Sequence, residues 1–117
     1  MSAPVKILNV DDDLRRSPRA ALFEGERHGG GVAVSSFITQ YEQGRGPDQH
    51  VHPYAEVFVV ERGVAEFRVA GERIEVPAGN VVVVPPETPH GFKNPGAEPL
   101  RVISMHPSPR VIQTDLE

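Results

Sequence analysis

The sequence predicts an all-β domain, a barrel or sandwich of antiparallel strands, and three features of the chain point to it. From residue 31 onward, short apolar or alternating runs of strand length follow one another: GVAVSSFITQY, AEVFVV, VAEFRVA, RIEV, NVVVV and LRVISM. Turn-forming groups separate them at fairly regular intervals, namely Glu61-Arg62-Gly63, Ala70-Gly71-Glu72, Pro77-Ala78-Gly79-Asn80, Pro85-Pro86-Glu87 and Asn94-Pro95-Gly96. The N-terminal third, in turn, lacks the helical periodicity that a DNA-reading helix-turn-helix would need. Evenly spaced short strands of this kind belong to closed or two-layered antiparallel folds.

In chain order, residues 1–30 read as an N-terminal arm and a strand. The helix candidate there is Asp13 to Glu24, where Pro18 breaks the run unless the helix starts at it. Asp11-Asp12-Asp13 reads as a solvated charged tail rather than a metal site. His28 with Gly29-Gly30-Gly31 reads as loop, because neither a strand-to-helix transition nor a Lys-Ser/Thr pair follows to make a phosphate cradle. Val64 to Ala70 has the clearest period of two: Val64, Glu66, Arg68 and Ala70 face one way, Ala65, Phe67 and Val69 the other, so one face is wet. Val81 to Val84 is apolar on both faces, which calls for core on one side and a second layer or a neighbouring subunit on the other. Residues 107–117 form a C-terminal extension, and no repeat or linker divides the chain.

A length of 117 residues suits a single domain spanning 1–117. With 12 prolines and 11 glycines the chain is turn-rich, yet these stay below the roughly 25–30% that marks low-complexity sequence. A formal charge of −4 leaves no broad cationic surface for a phosphate backbone, so nucleic acid is an unexpected partner. No apolar stretch approaches the ~20 residues of a membrane span, and a cytoplasmic location is expected. The absence of cysteine excludes disulfides, zinc–thiolate sites and thiol nucleophiles.

The chemistry is concentrated around His50. His50 and His52 are one residue apart, so on an extended strand both imidazoles point to one face and can share an ion. Glu56 follows across Pro53-Tyr54-Ala55, a stretch short enough to turn the chain and bring a carboxylate near the same place. Imidazole with carboxylate is ligand chemistry for borderline or hard divalent ions. A lone His-x-His is more often a surface or core pair, but here it sits in a frame of Gly44, His50, His52, Glu56 and Gly63 that chance explains poorly.

That frame, GRGPDQHVHPYAEVFVVERG, resembles the first signature motif of the cupins at every specified position. GNVVVVPPETPHGFKN, residues 79 to 94, is similar to the second, with Gly79, Pro85, His90 and Asn94 in register and Glu87 where glycine is usual. The departure at Glu87 bears on local turn geometry, since a non-glycine residue tolerates positive φ poorly. The resemblance covers about residues 37–106 and implies a single-domain jelly-roll β-barrel. By carry-over its metal ligands are His50, His52, Glu56 and His90, holding one divalent transition metal ion: Fe, Mn, Ni, Co, Cu or Zn. It also implies a homodimer, which the doubly apolar Val81 to Val84 run and a small core support.

Around this site, Phe58, Phe92, Tyr41 and Met105 are expected to line an apolar pocket, with Phe37 and Phe67 as further wall or core residues. Phe58 stands out because it lies two residues after Glu56 on the same strand face. His106 shares a face with Val102 and Ser104, which makes it a weak candidate for an acid/base group. The plainer reading, a rim histidine anchoring His106-Pro107-Ser108-Pro109, is preferred because no spacing ties it to the metal motifs. Four protein ligands leave up to two open positions on an octahedral ion. The expected function is therefore a metal-dependent enzyme of oxygenase type acting on a small organic molecule. The alternatives are a redox-neutral isomerase or lyase, and a non-catalytic module binding a metabolite or metal. The chain has no spare length for an output domain, which favours the enzyme readings.

Overall fold

The computed structural model describes residues 5–117. Among them, ten strands form two five-stranded antiparallel sheets. In chain order the elements are helix α1 (Val10–Leu14), β1 (Ala20–Glu24), helix α2 (Gly25–His28), β2 (Ser35–Tyr41), β3 (His50–Val51) and β4 (Glu56–Arg62). Then come β5 (Val64–Val69), β6 (Glu72–Pro77), β7 (Asn80–Val84), β8 (His90–Lys93), β9 (Leu100–His106) and β10 (Thr114–Asp115). One sheet has the order β1-β2-β9-β4-β7 and the other β10-β3-β8-β5-β6, so the chain crosses repeatedly between layers. This is an all-β jelly roll. No helix among the described residues is long and apolar enough to cross a membrane.

Alternation along the strands divides inside from outside. Glu56, Phe58 and Val60 of β4 face inward, opposite Val84, Val82 and Asn80 of β7. On the other flank of β4, Phe58 pairs with Ser104 and Val60 with Val102 of β9. The core is tightest where Phe58, Phe67 and Phe92 meet. Phe58 stands edge-on to Phe67 and Phe92, with centroids 5.1 and 5.8 Å away, and Phe67 lies 5.1 Å from Phe92. Each such ring contributes roughly 1.5–3 kcal/mol by burial. Val60, Ala65, Val76, Val84, Leu100 and Val102 complete this cluster. Beyond it, the inward positions turn polar.

Turns supply the register. β5 and β6 are joined by Ala70-Gly71 alone, both at positive φ (49° and 84°), the two-residue hairpin whose twist matches its strands. The buried Asn94 amide donates to the carbonyls of Tyr41 and Glu98 at 2.9 and 2.8 Å, and its oxygen accepts from Gly96 N–H at 2.9 Å. Its role in the second motif is thus to fasten the Asn-Pro-Gly turn to β2.

Three expectations need correction. The helix lies at 10–14, ahead of the expected Asp13 to Glu24, because the Asn9 side chain caps it by accepting from the N–H groups of Asp11 and Asp12. Pro18 then falls in the turn, and 20–24 is strand because β2 pairs with it residue for residue. Asp11, Asp12 and Asp13 are solvated as expected, but they form a first helical turn rather than a tail, and their carboxylates oppose the positive end of the helix dipole. Met105 faces outward, since the alternation that sends Ser104 and His106 inward puts its side chain on the opposite face of β9, beside Val57 and Ser36. Val81 and Val83 also face out, 60% and 63% exposed, with no second layer over them among the described residues.

Glu87 adopts φ = 58°, the left-handed conformation that glycine takes freely. Its side chain is exposed and its N–H donates to the His52 carbonyl at 2.8 Å, which Glu87→Gly leaves in place. Relief of backbone strain exceeds the entropy a glycine adds to the unfolded chain, so Glu87→Gly is expected to stabilise by about 0.5–1 kcal/mol. Denaturant unfolding checks this; a lower midpoint would show that the strain is not there.

Candidate metal centre

The inward polar positions lie next to the phenylalanine cluster. β3 pairs with β8 through His50 and His90 as direct partners, which places their ring centres 4.5 Å apart. His52 is on the same side as His50, as extended backbone requires, at 4.9 Å. Glu56 opens β4 in the facing sheet, opposite Val84. One donor atom from each of His50, His52, Glu56 and His90 lies within 4.8 Å of all the others, and all four residues are buried.

Each of the three rings is held from behind by a main-chain carbonyl. The Nδ1–H of His50 donates to Asp48 at 2.8 Å, that of His52 to Ile112 at 2.8 Å and that of His90 to Thr88 at 2.7 Å. A carbonyl only accepts, so these bonds keep a proton on Nδ1 and turn Nε2 inward. There, Nε2 of His52 and Nε2 of His90 each lie 2.9 Å from Oε1 of Glu56. These two rings therefore have acceptors at both ends, and an uncharged imidazole has only one N–H to offer. The arrangement calls for an added cation, either a second ring proton or a metal ion.

Further details favour the metal. His90 is aligned to hydrogen-bond Oε1, but His52 Nε2 is not, and it has no partner at all. A buried polar atom left this way costs about 1–3 kcal/mol. Among the described residues no lysine or arginine pairs with Glu56, only histidines. Three imidazole nitrogens and a carboxylate oxygen form the donor set of a borderline divalent ion. The centre fits one divalent transition metal.

Electrostatics without a metal follow from the same contacts. Burial pushes the Glu56 carboxyl up, but His106, His52 and His90 outweigh it and hold the group far below the usual carboxylate range. Burial pushes His52 down, yet the Glu56 carboxylate and the Ile112 carbonyl more than reverse this and raise it. His50, further from the carboxylate, stays lowered by burial despite its bond to Asp48. A site ionised in this way favours the carboxylate form that a metal needs.

A fourth histidine joins the centre. His106, at the end of β9, is buried, and its Nε2 lies 3.0 Å from Oε2 of Glu56. Its Nδ1 is 2.7 Å from the hydroxyl of Tyr54, which also accepts the N–H of Ile112 at 3.1 Å. The cluster opens on a cavity of about 150 Å³ walled by Phe37, Tyr41, Phe58 and Phe92, with Thr39 and Ser104 as polar notes. Gln113 of the C-terminal segment also lines it, and among the described residues no lysine or arginine does. Of the expected wall residues, Tyr41, Phe58 and Phe92 are there and Met105 is not. Phe67 belongs to the core.

Sequence reasoning missed Tyr54, Ile112 and Gln113. Tyr54 lies inside the first motif but at a position of no defined spacing, and Ile112 acts through its peptide group, which any residue would supply. His106 carried a signal in its alternation with Val102 and Ser104, and its proximity to Glu56 contradicts the rim reading.

The cupin domain family matches residues 37–106, more than half of the chain. No match is found among curated protein sequences. Among solved structures, the oxalate decarboxylase of Bacillus subtilis at pH 4.6 superposes with a TM-score of 0.78 at 21% identity, over 91% of this chain and 30% of that one. A formate complex of Lactobacillus farciminis oxalate decarboxylase gives 0.76 at 21%, over 91% of this chain and 34% of that one. A third structure, of the Bacillus subtilis enzyme and concerned with its Mn(II) centres, gives 0.77 at 21%, over 91% and 30%. The chain thus spans about a third of the length of these neighbours, and at such identity the likeness carries the fold alone. With two jelly-roll sheets, a buried three-histidine, one-glutamate cluster and a family match across both motifs, the chain belongs to the cupins.

Proposed function

We propose that this cupin is a metal-dependent enzyme of oxygenase type acting on a small, largely apolar organic molecule. One observation carries the reading: the metal cluster opens directly onto a small aromatic cavity that no lysine or arginine lines. His50, His52, Glu56 and His90 would hold the ion, which when bound supplies open coordination positions for a substrate or dioxygen. The chain's own contribution is positioning and dryness. Phe37, Tyr41, Phe58 and Phe92 exclude water and give a flat substrate faces to lie against, while the main-chain carbonyls behind the histidines keep their donor atoms aimed.

A second reading, redox-neutral lyase chemistry with the ion as Lewis acid, draws support from the oxalate decarboxylases among the structural neighbours. The cation-free wall weighs against a doubly charged substrate such as oxalate. We take residues 1–117 as one functional unit, since the C-terminal segment supplies the Ile112 carbonyl to His52. We also propose a homodimer formed through the outer face of the first sheet. Val81 and Val83 of its edge strand continue there into the half-buried Val57, Val59, Ile103 and Met105.

Elemental analysis of untagged protein is expected to find stoichiometric transition metal, lost in His50→Ala and in Glu56→Ala. Metal-free wild type that no divalent ion stabilises against heat would sink the enzyme reading. With loaded protein, oxygen uptake during turnover of small enolic or aromatic compounds supports the oxygenase, whereas carbon dioxide release without oxygen uptake supports the lyase. Sedimentation is expected to give a dimer that Val81→Lys with Val83→Lys converts to monomer; a monomeric wild type would refute the interface.

A further inference from the structure

We propose that His106 is a hydrogen-bond donor to the exogenous ligand of the metal centre, held out of the ligand set by Tyr54. The three ring ligands and His106 have opposite partners at Nδ1. Behind His50, His52 and His90 stand carbonyl oxygens, which can only accept, so the ring proton stays on Nδ1 and Nε2 is free for a metal. Behind His106 stands a hydroxyl at 2.7 Å. That hydroxyl already accepts the Ile112 N–H at 3.1 Å, and among the described residues it has no other acceptor to bond than His106 Nδ1. It therefore gives its one proton to Nδ1, and the uncharged ring carries its own proton on Nε2.

A protonated Nε2 has no lone pair for a metal. It has a hydrogen to donate, and that hydrogen lacks a partner: Nε2 lies 3.0 Å from Oε2 of Glu56 but off the hydrogen-bond direction, and it is buried and unsatisfied. His106 lines the same cavity as Glu56 and His50. The ring is packed on two sides, with Phe37 edge-on to it at 5.7 Å and His52 at 4.7 Å. The missing partner is an acceptor atom of a ligand bound beside Glu56, of the class of a small anion, a carbonyl or enolate oxygen, or dioxygen. His106 is thus a binding residue facing the ligand, and Tyr54 is a positioning residue acting through it.

The proposal starts from the metal-binding reading, and two measurements separate its failure from that of the reading. Long-range nitrogen–proton NMR of the histidine rings, run on Zn(II)-loaded protein and on metal-free protein at alkaline pH, where the added ring protons are removed, is expected to place the His106 proton on Nε2 and those of His50, His52 and His90 on Nδ1. Tyr54→Phe should release His106 from its single tautomer. Azide titration of Co(II)-loaded protein is the second measurement, with azide as the acceptor probe. His106→Leu is expected to weaken azide about tenfold while metal content stays stoichiometric, and His106→Gln, which keeps an N–H, should lose less. A proton on Nδ1 of His106, an unchanged azide affinity in both variants, or loss of the metal with His106 overturns the proposal. If wild type takes up no metal, the enzyme reading fails, and the tautomer measurement on metal-free protein still decides whether His106 turns an N–H donor into the cavity.

Discussion

The structure is organised around the buried carboxylate of Glu56, which among the described residues has three histidines against it and no lysine or arginine to neutralise it. Glu56 presents Oε1 to His52 and His90 and Oε2 to His106. Taking such a group out of water costs several kcal/mol unless a cation stays with it. In the metal-free chain that role falls to protons on the rings, which is why Glu56 is held down and His52 raised. A metal ion meets the same need with better geometry, since it is bound by the lone pairs that the carbonyl bonds have already turned inward. The electrostatic cost of placing Glu56 there is thus what makes the site bind a cation at all.

The fold meets this cost by dividing the barrel. One region is a dry aromatic cluster of Phe58, Phe67 and Phe92, and the polar centre lies directly against it, with Phe58 only 5.8 Å from the ring of His90. Rigid neighbours keep the donors convergent. The C-terminal segment then closes the other side. Its Ile112 peptide unit accepts from His52 through the carbonyl and donates to Tyr54 through the amide, so one residue orients two rings by opposite bonds. The segment is itself tied down by Ser35 Oγ to the Ser108 carbonyl, Glu26 N–H to the Pro109 carbonyl and Leu116 N–H to the Gln49 carbonyl. Disturbing residues 107–117 should therefore reach the metal centre although none of them supplies a ligand.

Much of this was legible in the sequence where a period or a spacing carried it. Apolar or alternating runs between turns located β2, β4, β5, β6, β7 and β9, and the spacing of His50, His52 and Glu56 placed three donors on converging strands. His90 came from the motif alone, because its approach to His50 is a long-range pairing that local pattern does not encode. The strand at 20–24 was obscured because Ala21 and Leu22 are both buried, which breaks the simple alternation of a one-sided strand. Met105 was misplaced by its size and apolarity: its neighbours Ser104 and His106 take the interior positions, so the polar residues line the cavity and the apolar one faces out. Ile112 could not be found at all, since a backbone carbonyl leaves no mark on the sequence.

The likeness to oxalate decarboxylases is one of fold, so what the centre can bind has to be read from this chain's own wall. A divalent ion held by one carboxylate and neutral imidazoles has a net charge of +1, so a monoanionic ligand leaves the centre neutral and a dianion leaves it negative. In a cavity of this size, buried against phenylalanine, an uncompensated charge is poorly screened. A cationic side chain in the wall would offset the charge of a dianion, and among the described residues the wall holds Phe37, Tyr41, Phe58 and Phe92 but no lysine or arginine. On the proposed reading, the wall rather than the metal would select the substrate, favouring molecules that are uncharged in solution or lose one proton on binding.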